Sequence, residues 1–356
     1  IEKVYMAKVL IVLKRRHDYN PIAHSPRGLS TGLYNSASFI EEMLKNNGIS
    51  AKLEVAIDNN CIDRMVNQYK PTHVILEALW VVPSKFAVLT KLHPQVKWIV
   101  RLHSEMPFMA GEGMALDWIA DYLRFPNVDI GVNAPRMLTE VKTYVSTVHA
   151  WSDVTTDSRV HYLPNYYPTD YTTKQYNRNK YWIDIGCFGA VRPLKNHLLQ
   201  AVAALDFAKS TNKQLRFHIN GGRIEMKGDP VMHNLRGLFQ QLADAGHQMI
   251  IHEWVPREGF LELCSQMDLG LQVTFSETFN IVAADLISQG VPVVTSAEIP
   301  WASRLFNARA EDSSQISNKL LLSHLVPQLN VKRNQYKLKQ YCLNTVAVWD
   351  KFFKEQ

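Results

Sequence analysis

Short apolar runs alternate with helical patterns along the whole chain. In the first half, "KVLIVLK" (8–14), "AKLEVA" (51–56), "HVILEA" (73–78), "KWIVRLH" (97–103), "VDIGVN" (128–133) and "VHYLP" (160–164) read as strands. Helical patterns such as "NSASFIEEMLKNN" (35–47) fall between them. That alternation predicts α/β layers with mostly parallel strands. The stretch "NYYPTDYTTKQYNRNKYW" (165–182) is polar, aromatic and unpatterned, and reads as a linker. A second series follows: "IDIGCFG", "LRFHING", "MIIHEWV", "LGLQVTF" and "GVPVVTS". The residues from Lys332 onward read as one amphipathic helix. The expected organisation is a Rossmann-like domain over 1–166, a linker over 167–181, a second Rossmann-like domain over 182–331 and a helix over 332–356. Two doubly wound domains in tandem are expected to face a central cleft and to hold ligands at the C-terminal ends of their strands.

The chain has 356 residues, too many for one ordinary core. With 46% hydrophobic and 20% charged residues, it reads as a soluble globular protein. The opening "IEKVYMAKVLIVLKRRHDYN" runs from a brief apolar stretch straight into Lys14, Arg15 and Arg16. No small-residue cleavage site follows, so it reads as a first strand rather than a signal peptide. No stretch approaches the roughly 18 apolar residues of a spanning helix. The four cysteines, Cys61, Cys187, Cys264 and Cys342, are far apart and lack metal-ligand spacing. They read as reduced thiols of a cytoplasmic protein. A net charge of +6 fits a polyanionic substrate without demanding one.

The candidate chemistry concentrates in "FSETFNIVAADLISQGVPVV" (275–294). Phe279, Val282, Ala283, Leu286 and Ile287 form one apolar helical face, and Ser276 and Thr278 are available as caps. Free backbone N–H groups at such a helix start suit a phosphate. Glu277 lies in the strand-to-helix turn, and Asp285 projects from a flank about 10 Å further along. Carboxylates accept hydrogen bonds from sugar hydroxyls, so two acids beside a phosphate site suit a nucleotide sugar. The plain alternative is a solvated turn acid and a surface residue.

"ETFNIVAAD…GVPVV" resembles the acid-x7-acid motif of retaining glycosyltransferases with the two-domain GT-B fold, family 4 in particular. The resemblance assigns Glu277 to the donor sugar, the backbone of Phe279, Asn280 and Ile281 to the diphosphate, and Asp285 to the ribose. Asn280 stands where that family usually has Gly, and Asp285 where it usually has Glu. "CFGAVRPLKNH" (187–197) is similar to the family's loop of two cations, which implies Arg192 and Lys195 on the diphosphate beyond Gly189. "SPRGLSTGLYNSASFIEEML" (25–44) resembles its glycine-containing first loop, with Gly28 and Gly32 before a helix. "RLHSE" (101–105) places His103 where the family often contacts the sugar. "HEWVPREG" (252–259) resembles its base-reading loop and implies Trp254 and Val255 along the base. The family also returns its last helix to the first domain.

The resemblance implies glycosyl transfer from a nucleoside diphosphate sugar, expected to be a UDP-sugar, with retention. The nucleotide sugar is a co-substrate. No other cofactor and no metal is expected, and no Walker loop, HExxH, CxxC pair or nucleophile elbow is present. For the acceptor, Lys14, Arg15, Arg16 and Arg27 suit the phosphates of double-stranded DNA. The N-terminal stretch also looks similar to glycosyltransferases of tailed phages, some of which modify hydroxymethylated pyrimidines. In that case the location is the host cytoplasm. A polysaccharide or lipid-linked acceptor, and a UDP-sugar epimerase on the same fold, stand as alternatives. The sequence leaves the sugar and the oligomeric state open.

Overall fold

The computed structural model describes residues 7–14, 32–177 and 179–354. Arg15, Arg16, Arg27 and Gly28 lie outside the described residues. The chain divides into two compact units, one running to Tyr167 and resumed from Cys342, the other spanning Pro168–Tyr341.

The first unit holds six parallel strands: β1 (Lys8–Lys14), β2 (Ser50–Ala56), β3 (His73–Glu77), β4 (Lys97–Leu102), β5 (Val128–Val132) and β6 (Val160–Tyr162), in the order β2-β1-β3-β4-β5-β6. Val9 pairs with Ala51 on one side and His73 on the other, so β1 is central. Its residues Val9 to Leu13 are wholly buried, because helices cover both faces of a parallel sheet. The second unit holds β7 (Trp182–Gly186), β8 (Gln214–Asn220), β9 (Gln248–His252), β10 (Leu269–Gln272) and β11 (Val293–Thr295), in the order β11-β10-β7-β8-β9. The winding reverses between β7 and β10, and the C-terminal ends of two such strands frame a ligand position.

Several expected strands stop early. β7 ends at Gly186, before Gly189, whose φ of 112° no ladder residue adopts. β3 ends at Glu77 because Ala78 turns to a φ of 70°.

The linker, from 168 to 177, forms neither helix nor strand, yet it is fastened. Thr172 N donates to Ser288 O at 2.8 Å, Tyr176 Oη to Gly290 O at 2.8 Å, and Tyr171 Oη to Gln335 O at 3.2 Å. Side chains and single backbone contacts do here what a ladder does elsewhere.

The last helix begins at Pro327, earlier than the expected Lys332. Proline is tolerated in a first turn because its missing N–H would be unpaired there anyway. The buried Asn330 amide spans Val293 N and O at 3.1 and 3.0 Å, standing in for a strand neighbour at the β11 edge. Further along, Trp349 is fully buried with Val9, Ile11 and Leu13, and its Nε1 donates to Pro164 O at 2.9 Å. Trp349→Ala is expected to cost about 3–5 kcal/mol, read as a fall in urea midpoint at unchanged slope. Among the described residues no helix is long and apolar enough to cross a membrane.

Candidate functional site

In the second unit the loop after β7 is clamped onto the chain after β10. The φ of 60° at Asn196 turns the chain into helix His197–Ser210. The Asn196 amide donates to Val273 O at 3.0 Å and to Ala310 O at 2.7 Å. Gln200 accepts from Val273 N at 2.7 Å and donates to Lys195 O at 2.8 Å, while Phe275 N reaches Leu194 O at 3.0 Å. These bonds bring Lys195 against Glu277 in an ion pair whose side chains are each 13% exposed. Asn280 Nδ2 donates to Glu277 Oε2 at 3.1 Å and to Gln272 Oε1 at 2.9 Å. Burial works to raise the Glu277 carboxyl, but Lys195, and beyond it Arg192, outweigh burial and hold it below the ordinary range. The group is therefore an anion at neutral pH.

Helix Ile281–Ser288 is capped differently from the expectation. Neither Ser276 nor Thr278 is the cap. Asn280 is, with φ 63° and its Oδ1 accepting from Ala283 N at 2.8 Å. Asparagine adopts this left-handed conformation at lower cost than other side chains with a Cβ, which explains a residue other than glycine at this turn. Asn280 thus caps the helix and orients Glu277 with one side chain. Asn280→Ala is expected to lower stability by about 1–2 kcal/mol, measured by thermal unfolding. Phe279 anchors the same turn: its ring packs on Trp301 and Tyr341, and its carbonyl accepts from Trp301 Nε1 at 2.8 Å.

Asp285 does not project from an open flank. It is 1% exposed and pairs with Arg257 Nη2 at 2.8 Å. The periodicity misled because this helix is buried almost all round, from Ala283 to Ser288. A carboxylate there needs a cation, and Arg257, at the start of helix Arg257–Ser265, supplies it.

Gly189 N donates to Asn220 Oδ1 at 3.0 Å. Arg192 lies 3.6 Å from Glu225, which pairs with Arg223 at 2.6 Å. The Arg223 guanidinium in turn sits 5.1 Å over the Trp254 ring. A run of charges therefore links the cation loop to the loop of Trp254 and Val255. Asn196, Gln200, Gln272, Glu225, Arg223 and Arg257 escaped the sequence reading, because each works through a partner distant in sequence.

His197 is 1% exposed, and neither ring nitrogen has a hydrogen-bond partner. Burial first, then Lys195 and Arg192, lower its pKa to about 3. Between that value and the ordinary one near 6.5 the unfolded chain holds a proton that the folded chain refuses, so stability falls as pH drops through this window. His197→Leu is expected to remove up to about one proton from the slope of unfolding free energy between about pH 6 and about pH 4. Urea unfolding at stepped pH checks this. His73, lowered to about 4 chiefly by burial, has the same sign and remains in the variant.

In the first unit, His103 follows β4 and meets a buried network. Glu77 and Arg101 are both fully buried. Arg101 Nη1 donates to both Glu77 oxygens at 3.1 Å, and His103 Nε2 donates to Glu77 Oε2. Asn133 Nδ2 lies 3.3 Å from His103 Nδ1. Arg101 also donates to Asn165 Oδ1, and its Nε reaches Leu163 O at 2.9 Å. Burial works to raise the Glu77 carboxyl, but Arg101 and His103 outweigh it and hold it low. Burial, helped by Arg101 and opposed by Glu77, holds His103 below the usual imidazole range. An anionic Glu77 takes the Nε2 hydrogen, which leaves Nδ1 of a neutral His103 as an acceptor. Gly32 is the first residue of helix Gly32–Asn46 rather than a residue before it, and Lys14 ends β1 exposed. The structure thus gathers Gly189, Arg192, Lys195, Trp254, Glu277, Asn280 and Asp285 around one end of the second sheet. It leaves His103, Lys14 and Gly32 in the first unit.

No family model matches the chain, and no curated protein matches it. Solved structures do. A sucrose-phosphate synthase from Thermosynechococcus elongatus aligns over 98% of this chain and 100% of its own, at 12% identity and a TM-score of 0.68. A UDP-forming α,α-trehalose-phosphate synthase from Burkholderia xenovorans aligns over 98% of both chains, at 10% identity and 0.67. A trehalose-6-phosphate protein from E. coli, bound with UDP-2-fluoro glucose, aligns over 98% of both at 10% identity and 0.68. At such low identity the likeness carries the fold alone. Two parallel α/β domains aligned end to end with these enzymes give this chain the GT-B fold.

Proposed function

We propose that this protein is a glycosyltransferase that moves a sugar from a nucleoside diphosphate sugar to a hydroxyl acceptor with retention. The observation that carries the reading is the Lys195–Glu277 pair, oriented by Asn280 where β7 and β10 reverse the winding of the second sheet. Lys195 and Arg192 would neutralise charge developing on the leaving diphosphate. Glu277 and the turn from Phe279 to Ile281 would hold the sugar and the phosphates, with Asp285 and Arg257 beside the ribose. His103 would accept a hydrogen bond from a sugar hydroxyl. The protein's share of the reaction is then positioning and fixed electrostatics.

The neighbours named as synthases of sucrose phosphate and trehalose phosphate favour a phosphorylated sugar as acceptor. Three of the four cations that suggested DNA lie outside the described residues. The test incubates the protein with UDP-glucose and, in turn, glucose 6-phosphate, fructose 6-phosphate and hydroxymethylated duplex DNA, with mass spectrometry of products. Free nucleotide and a glycosylated acceptor support the reading, and the acceptor glycosylated identifies the substrate. An epimer formed from donor alone would identify the epimerase instead. No binding of any nucleoside diphosphate would end the proposal.

A further inference from the structure

β7, β8 and β9 carry three linked side chains to which the donor site gives no task. Asp184 Oδ1 accepts from His218 Nε2 at 2.9 Å, and His218 Nδ1 lies 2.8 Å from His252 Nε2. The two imidazoles are almost coplanar, at 9° with centroids 5.1 Å apart. Asp184 and His218 are buried, and His252 is half-buried at the end of β9. Arg216 Nη2 sits 2.6 Å from the other Asp184 oxygen. Burial works to raise the Asp184 carboxyl, but the bonds from His218 and Arg216 outweigh it and keep it ionised.

An ionised carboxylate has no hydrogen to give, so His218 Nε2 carries one. A neutral His218 then offers a lone pair at Nδ1. The hydrogen in the bond between the imidazoles therefore belongs to His252 Nε2. A neutral His252 held this way has its own lone pair at Nδ1, on the side of the ring away from His218. Burial, then His218, holds His252 below the ordinary imidazole range, so above neutral pH it stays in this form.

The position of that lone pair matters. His252 is followed directly by the loop of Trp254 and Val255. Its ring stands edge-on to Phe188 at 6.1 Å, and Phe188 precedes Gly189 in the cation loop. We propose that His252 is a base-specificity residue: its Nδ1, set as an acceptor by Asp184 through His218, reads the imide N–H of a uracil-type base in the donor nucleotide. This rests on the donor site proposed above. Cytosine, of the same size, presents a lone pair at that ring position and would face acceptor with acceptor.

Calorimetric titration at pH 8 with UDP, CDP and 3-methyl-UDP tests it. The native protein is expected to bind UDP about ten- to a hundredfold more tightly than either alternative, the scale of one well-placed hydrogen bond in a partly buried site. His252→Phe is expected to bring the three within about threefold, chiefly by weakening UDP. His252→Asn, whose amide oxygen stands near the place of Nδ1, is expected to keep most of the preference. Thermal melts confirm that each variant is folded, and the native protein alone already compares UDP with its methylated form. Equal affinity of the native protein for UDP and 3-methyl-UDP, or an undiminished preference in a folded His252→Phe, overturns the inference while leaving the donor site standing. Failure of all three ligands to bind overturns the donor site as well.

Discussion

Lys195→Ala and Glu277→Ala are each expected to lower sugar transfer by about a hundred- to a thousandfold, the usual loss when one pre-positioned charged group is removed. The expectation follows from burial. Each side chain is 13% exposed, so neither charge is well screened by water. Removing Lys195 takes the nearest cation from the leaving diphosphate and leaves Glu277 uncompensated. Removing Glu277 frees Lys195 and takes away a sugar contact. Because the two act as one unit, the double variant is expected to lose little more than either single one. Release of free nucleotide from the donor, followed beside circular dichroism, provides the measurement. Rates within a few-fold of the native protein in both folded single variants would remove the pair from the reaction.

Glu77→Ala is expected to cost about 3–5 kcal/mol of stability, the largest loss from any single carboxylate here. Arg101 is fully buried, and without Glu77 its charge keeps only neutral partners, Asn165 and Leu163 O. Replacing both members with apolar residues, as in Glu77→Leu with Arg101→Met, is expected to cost less than Glu77→Ala, because no charge is then stranded. Urea unfolding of the three variants at pH 7 gives the comparison. The pH dependence has a definite sign. The Glu77 carboxyl is lower folded than unfolded, so its contribution is complete above the ordinary carboxyl value near 4.3 and is lost as pH falls through the folded value. Glu77→Ala should therefore lose its deficit relative to the native protein below that window. A deficit that persists undiminished there would mean that lost packing, and not charge, sets its size.

The strands were legible because apolar runs of this length, set between helical patterns, admit few alternatives. "KVLIVLK" is β1, and "LRFHING" is β8 less its last glycine. Ends were less legible, since a strand stops where one residue turns its backbone, as Ala78 does after β3. Within the site, Glu277 and Lys195 could be singled out as residue types beside a strand end. Their pairing could not. It depends on Asn196 and Gln200 stitching two loops together, and neither residue carries any local mark of that task. Asp285 went further astray, because an acid in an apolar helix looks like its solvent side until Arg257 is seen against it.

By itself, then, the order of apolar and polar residues determined the layers, the parallel strands and the two-part α/β build, since burial of a period-two or period-3.6 face is a local requirement. Only the tertiary structure decided which charges meet: Lys195 with Glu277, Asp285 with Arg257, Glu77 with Arg101, and Asp184 through His218 to His252. Each of these pairings joins residues far apart along the chain. The energy of a buried charge depends on what stands a few ångströms away in space, and the sequence does not record that distance.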